Sequence, residues 1–417
     1  MPRTLISSLF IMLLLTSCIS EEDRLQNIFD DHWEFTLNEN PIFATNQGDD
    51  RFNDQLPETD LEAVERRYEQ SKEFLVRLDR VQREDLSESS RLNYDIFRIQ
   101  LENDIRGYEL NAHLLPLNGW WDYHATFADL ANRVPLESVE DYENYLSRLR
   151  AFSEYNSGYI ERLQAGLDAD IVRPRAVFDD YVASVEALIS DIPEESGLFE
   201  PFTSFPESFT VEEMDRLASE GAEIINEIVN PELERLVRFL EVEYIPGAAE
   251  SLGITDIPGG DEYYAWLVQM YTTVDITPEE VHQIGLDEVA RIRSEMMEIV
   301  RETGFGEDFD GFVEFLRTDP QFYAETPEEL MEKTALVLKI MDGKLPELFK
   351  TLPRLPYGIR PVPDYLAPRT ATAYYSRGSA DGTRAGYYAV NTYDLKSRPL
   401  YEVTALSLHE AVPGHHL

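Results

Sequence analysis

The sequence predicts a mainly helical protein with one small sheet close to the C-terminal end of the chain. Three observations carry this. Apolar residues recur at helical spacing between charges, as at Leu61, Val64, Tyr68, Leu75 and Leu78. Three segments open with a helix-start signature, Thr-x-Glu-Glu, at Thr210 to Glu213, Thr277 to Glu280 and Thr326 to Glu329. There threonine accepts from a free amide of the first turn, and glutamate three residues on reaches back to the threonine amide. Between Thr370 and Thr392 the pattern changes to short alternating runs around a turn-rich loop, which reads as a hairpin.

Taken in chain order, a polar stretch from Ile19 to Arg24 leads into helical sequence. Residues 61–78, Ser87 to about Leu110, and Tyr142 to Leu167 each carry a helical period, the last stopped near Pro174. A cluster of Pro, Glu, Ser and Gly near Ile192 to Pro206 suggests a boundary, with an N-terminal helical region over 19–195 and a catalytic region over 196–417. Pro231 after Asn230 predicts a fresh helix start. Pro278 and Pro327 stand at first helical positions, where a missing N–H costs nothing. From Leu352 to Thr370 the chain is too proline-rich to stay helical. Thr370 to Tyr375 and Tyr387 to Thr392 are strand candidates, joined by a loop containing Asp381-Gly382. Alternation puts Tyr387, Ala389 and Asn391 on one face of the second strand and Tyr388 and Val390 on the other. Ser397 is expected to cap a last helix, with Pro399 early in it, that runs to the chain end.

Composition narrows the partners. Eighty acidic residues against 36 basic ones leave a formal charge of −44 in 417 residues. Such a surface repels nucleic acid, whose binding needs Lys and Arg to displace phosphate counterions. One cysteine, Cys18, excludes an internal disulfide and a thiolate metal cluster. It follows Arg3, an apolar run from Leu5 to Leu15, and Thr16-Ser17. That run has the length of a signal-peptide core and is short for a bilayer span. Leu-Thr-Ser-Cys resembles a lipobox, which implies a signal peptide over residues 1–18 and lipidation of Cys18. Ile19 after it resembles the sorting pattern of outer-membrane lipoproteins facing the periplasm.

The chemistry is concentrated in Leu408 to Leu417, LHEAVPGHHL. Of seven histidines in the chain, three fall in its last nine residues. Two neutral imidazoles can hold zinc, and an adjacent glutamate can take a proton from a water that the metal activates. His409 and His415 are therefore the candidate ligands and Glu410 the candidate general base. The spacing is a difficulty. Six residues turn an α-helix by about 600°, roughly 120° away from a shared face. Pro413 and Gly414 lie between the histidines, so a break there is expected to return His415 to His409. His416 is back on the face of His409 but about 10 Å away along an unbroken helix. It is therefore assigned beside the metal or on the oxyanion side, as a substrate-contacting group. Tyr375, Arg384, Tyr388 and Asn391, on or near the hairpin, are further candidates for substrate contact or oxyanion support. Plain packing explains each of them equally well. A strand beside the metal helix also offers an edge along which an extended peptide can pair.

These residues carry a resemblance. HEAVPGHHL is similar to the signature of a large bacterial family known as domain of unknown function 885, grouped with the zincin peptidases. Thr277 to Ile292 and Gly378 to Thr392 are similar to two further blocks of that family, in the same order. The resemblance implies a multi-helix, zincin-like metallopeptidase fold with a long substrate cleft. It also implies a glutamate ligand on a later helix, in a motif resembling EGWALY. The 417 residues do not contain that motif, so the third ligand is expected beyond Leu417, with zinc held weakly and His415 and His416 loosely placed without it. His282 and Glu402 are conceivable substitutes that no spacing supports. The leading expectation for the complete protein is a zinc-dependent peptidase at the cell envelope, with these 417 residues alone expected to be inactive. Alternatives are a non-catalytic lipoprotein that binds peptides, and a metallohydrolase of another amide or ester.

Overall fold

In a computed structural model, which describes residues 20–118, 122–363, 367–379, 382 and 384–417, the chain is mainly helical with one three-stranded sheet. Cys18 and the rest of residues 1–19 lie outside the described residues, as does Asp381. The chain divides into two compact units. One comprises Asn53–Thr273 with the residues up to Ile42; the other comprises Val274–Leu417 with Phe43–Phe52.

The first unit is helical. Its longer helices are α1 (Glu21–Glu39), α2 (Leu61–Leu78), α3 (Glu88–Glu109), α4 (Val139–Arg150), α5 (Phe152–Asp168), α6 (Val211–Ile224), α7 (Asn230–Phe239) and α8 (Gly260–Thr272). Residues 20–24 of the expected polar stretch are the cap and first turn of α1, where the Ser20 side chain accepts from the Asp23 amide. The single helix expected from Tyr142 to Leu167 is two helices, broken at Ala151. Pro231 does not begin a separate helix either. It lies in a helical run from Val211 to Gly247 that contains two π-helical turns, Ile225–Val229 and Leu240–Tyr244. Each turn ends two residues before a proline, Pro231 and Pro246. A proline lacks the N–H for the usual bond and crowds the carbonyl four residues back, and a widened turn relieves both.

The boundary expected between residues 195 and 196 is not where the compact units divide. The segment Gly197–Thr203 is a 3-10 helix whose Leu198, Phe199 and Phe202 are buried in the main core of the first unit. The Tyr145 and Tyr142 hydroxyls donate to the carbonyls of Leu198 and Pro201, at 2.7 and 3.0 Å. Apolar side chains thus outweigh the linker-like composition, and the division falls at Thr273 and Val274. Arg148 is buried within this unit, donating to the carbonyls of Gln55 and Pro41, and burial pulls its pKa down to about 10.

The second unit carries α9 (Pro278–Glu302), α10 (Phe309–Thr318), α11 (Pro327–Asp342), β1 (Tyr357–Pro361), β2 (Ala373–Ser376), β3 (Gly386–Val390) and α12 (Leu400–Glu410). Thr277 forms the full reciprocal cap of α9, as Thr210 does for α6. Thr326 caps α11 from one side only, because the Glu329 carboxylate accepts from the Glu325 amide instead. The expected hairpin is present as antiparallel β2 and β3. Proline-rich sequence hid β1, which pairs parallel to β3 with Tyr357 opposite Gly386. Its Pro361 is tolerated because β1 is an edge strand. β3, expected to offer a free edge, is the central strand. Helix α11 packs on α12 and β1, and α12 packs on β2. Leu330, Leu338, Tyr388, Val390, Val403, Ala411 and Val412 form the shared core.

Two histidines of the first unit set an acid limit. Burial pulls His124, 5% exposed, down to about 4, and burial with the Arg162 charge does the same to His113. Both folded values lie below the ordinary imidazole value, so the unfolded chain takes up protons first as pH falls. Their contribution is full above a pH of about 6.5 and is lost as pH falls toward about 4. The thermal midpoint should fall across that window, and His124→Gln should flatten the slope. An unchanged slope in His124→Gln would show that His124 does not contribute.

Candidate metal centre

The candidate centre is built at the end of α12. Pro399, not Ser397, precedes the first turn of this helix and provides no side-chain cap. Ser397 instead belongs to a 3-10 turn, Leu395–Ser397, where its hydroxyl donates to the Asp394 carbonyl.

The helix does not run to the chain end; it stops at Glu410. In a continuing α-helix the carbonyls of Leu408 and His409 would accept from residues 412 and 413. Pro413 has no N–H to give. The Leu408 carbonyl accepts from Gly414 at 2.9 Å instead, and the His409 carbonyl accepts from His415 at 3.0 Å. Two extra residues are thereby looped into the turn. In hydrogen-bond register His415 occupies the place of the fourth residue after His409, where both side chains share a face. The break expected at Pro413-Gly414 thus takes the form of an expanded turn, which contains a cis Val412–Pro413 peptide.

Two features of the sequence make this turn possible. Ala411 and Val412 are fully buried in the core of the second unit, so the looped residues are anchored by apolar contact. Gly414 approaches so closely that a Cβ there would collide with the His409 carbonyl oxygen. His415 and His416, expected to be loosely placed, are held by backbone hydrogen bonds of this turn, with Val412 buried beside them.

The rings of His409 and His415 meet edge to face, with centroids 4.9 Å apart. Candidate ligand atoms of His409, Glu410 and His415 all lie within 4.8 Å of one another. The imidazoles are exposed, whereas Glu410 is only 8% exposed. Its carboxylate stands 3.9 Å from His415 Nε2, beyond hydrogen-bonding distance. Among the described residues these three make the one such cluster. His282 and Glu402 are exposed and outside it.

The remaining candidates separate into two groups. Tyr375 and His416 flank the cluster. The Tyr375 hydroxyl lies 2.7 Å from His416 Nδ1, and its ring lies nearly parallel to that of His415. His416 Nε2 lies 3.0 Å from the Leu355 carbonyl oxygen. Both ring nitrogens of His416 are thus occupied. Tyr388 and Asn391 are not placed for substrate contact. Tyr388 is 1% exposed, and burial together with the Glu410 charge pushes it up to about 12. Asn391 is fully buried and donates to the carbonyls of Ala367, Thr370 and Ala371. Its side-chain oxygen accepts from the Tyr393 amide, so it serves to shape the loop. Arg384 is exposed in the β2–β3 loop, where its amide donates to the Ser379 hydroxyl. Sequence reasoning missed Leu355, Val412 and Gly386. The last makes room for Tyr375, whose hydroxyl a Cβ at Gly386 would strike. The only signal for Val412 was an apolar pair between two polar halves of the motif.

Fold and site together define a mainly helical protein with a histidine–glutamate cluster on the last helix of its second unit. The chain belongs to the family described as bacterial protein of unknown function (DUF885), matched over residues 41–417. It is similar in structure to the "putative lipoprotein" of Colwellia psychrerythraea, at 20% identity and a TM-score of 0.86, covering 96% of this chain and 72% of that one. It is also similar to a "putative lipoprotein of unknown function" from Shewanella oneidensis, at 16% identity and a TM-score of 0.61, covering 95% and 71%. At these identities the likeness concerns the fold alone. No curated protein matches the chain in sequence.

The turn geometry makes a direct prediction. Gly414→Ala should detach the His415 amide from the His409 carbonyl. Hydrogen exchange at His415 should then speed up at least tenfold, about 1.4 kcal/mol, with α9 unaffected. Unchanged protection would show that the turn does not depend on the glycine.

Proposed function

We propose that this protein is a zinc-dependent hydrolase of peptide bonds that works at the cell envelope, anchored by lipid at Cys18. The observation that carries the reading is the His415-to-His409 backbone bond, which gathers two exposed imidazoles around a buried carboxylate. The two imidazoles suit zinc, and the carboxylate beside them suits a base for a water on the ion. The similarity of HEAVPGHHL to the zincin signature supports the same choice.

His409 and His415 would hold the ion through neutral ring nitrogens. Zinc there would bring the pKa of a water near 7 and polarise a substrate carbonyl. Glu410 is the general base. It accepts a proton from the attacking water and returns it to the amine nitrogen as the peptide bond breaks. Its burial excludes competing solvent, and at 3.9 Å from His415 Nε2 it would stand beside a water on an ion held by the imidazoles. The substrate is an extended peptide. Within the described sheet β2 is an edge strand and carries Tyr375, which places a strand for main-chain pairing beside the cluster. Main-chain pairing demands little of substrate sequence. The Leu-Thr-Ser-Cys motif supports the anchor, and both structural relatives carry the description "putative lipoprotein".

Two experiments test this reading. His409→Ala and His415→Ala should each lose bound zinc, measured by metal analysis after dialysis. Glu410→Gln should keep zinc while peptide turnover falls at least ~100-fold. Full turnover in Glu410→Gln would end the mechanism, and peptide binding without hydrolysis by the zinc-loaded protein would favour a binding lipoprotein. For the anchor, Cys18→Ser should move the protein from the membrane to the soluble fraction and abolish fatty-acid labelling. Unchanged labelling would refute it.

A further inference from the structure

The Tyr375 hydroxyl, the His416 ring and the Leu355 carbonyl form a chain of contacts that runs past His415. A backbone carbonyl can only accept, so His416 Nε2 must carry the ring proton in this arrangement. Nδ1 is then the acceptor, and the Tyr375 hydroxyl donates to it at 2.7 Å. One tautomer and one ring orientation satisfy both bonds. His416 is further enclosed by Tyr357, whose ring centroid lies 5.0 Å away and whose hydroxyl donates to Asp342 at 3.0 Å. Its amide donates to the Ala411 carbonyl at 2.9 Å. The residue after His415 is therefore held at its amide, at both ring nitrogens and on its ring face.

His415 is held far less. Its side chain is 49% exposed, and the nearest carboxylate is 3.9 Å away. What it has is the bond from its own amide, the fixed residue that follows it, and the Tyr375 ring lying 16° from parallel at 6.3 Å. Tyr375 can reach this position only because residue 386 is glycine.

We infer that Tyr375 and His416 form a positioning clamp that presents His415 to the metal, with His416 excluded from the ligand set by its own hydrogen bonds. This rests on the metal-site reading above, but the contacts of the clamp are made by protein groups alone. Groups that orient a ligand commonly govern metal affinity as strongly as some ligands do.

The test uses the full chain with isotopically labelled histidine. In metal-free protein the His416 ring should carry its proton on Nε2 and exchange it slowly, while His415 gives one sharp set of ring signals. Tyr375→Phe should preserve the circular dichroism spectrum, broaden or split the His415 signals, and weaken zinc binding by roughly 10–100-fold. Glutamine can donate to the Leu355 carbonyl and accept from Tyr375, so His416→Gln should bind zinc nearly as the parent chain does. His416→Leu should instead resemble Tyr375→Phe. Unaltered His415 signals in both Tyr375→Phe and His416→Leu would overturn the clamp. Equal loss of zinc in His416→Gln and His416→Leu would overturn it also, by making His416 a ligand. If the parent chain bound no zinc, the metal reading would fail, and the His415 signals in metal-free protein would still decide the clamp.

Discussion

The candidate site depends on one backbone constraint: the carbonyls of Leu408 and His409 need donors, and Pro413 cannot be one. A buried or half-buried carbonyl left without a partner costs as much as a lost hydrogen bond. The chain meets the need by taking donors two residues later, from Gly414 and His415. Everything that gathers at the cluster follows from that shift. It carries His415 to His409, directs Val412 into the core, and brings His416 to Tyr375 and Leu355. The glycine is required because no side chain fits against the His409 carbonyl.

Burial divides the cluster into two sides. Glu410 and Tyr388 face the core shared with α11 and the sheet, whereas the two imidazoles face outward. A carboxylate on the dry side and nitrogen donors on the open side suit proton transfer beside an exchangeable ligand. Behind the cluster, β3 is covered on both faces. Tyr388 and Val390 pack toward α12, and Ala389 packs with Val362 and Ala367 on the other side. The acidic surface of the chain, at −44, has no counterpart in this arrangement; the cluster uses a single carboxylate.

Local chemistry was legible where it is decided locally. The Thr210, Thr277 and Thr326 caps lie three residues from the groups they satisfy, so sequence alone placed three helix starts. The β2–β3 pairing was also readable, since alternation and a turn-rich loop lie within one short segment. Strand β1 was not, because prolines on both sides mask a strand whose partner lies more than twenty residues away. The segment after Ile192 misled for the opposite reason. Its loop-like residues are interspersed with Leu198, Phe199 and Phe202, and their burial in a distant core decides the outcome.

By itself the sequence determined which residues carry chemistry: a His-Glu pair, two further histidines, and the proline and glycine that forbid a plain helix between them. These properties belong to residue types and to backbone stereochemistry, and no distant contact alters them. Only tertiary structure decided how the helix breaks, which histidine faces His409, and which of the flanking residues reach the site. Tyr388 and Asn391 were removed to the interior, and Tyr375 was brought to His416 across 41 positions of sequence. Those outcomes depend on what lies behind each side chain in the packed core, and helical or strand periodicity carries no record of that.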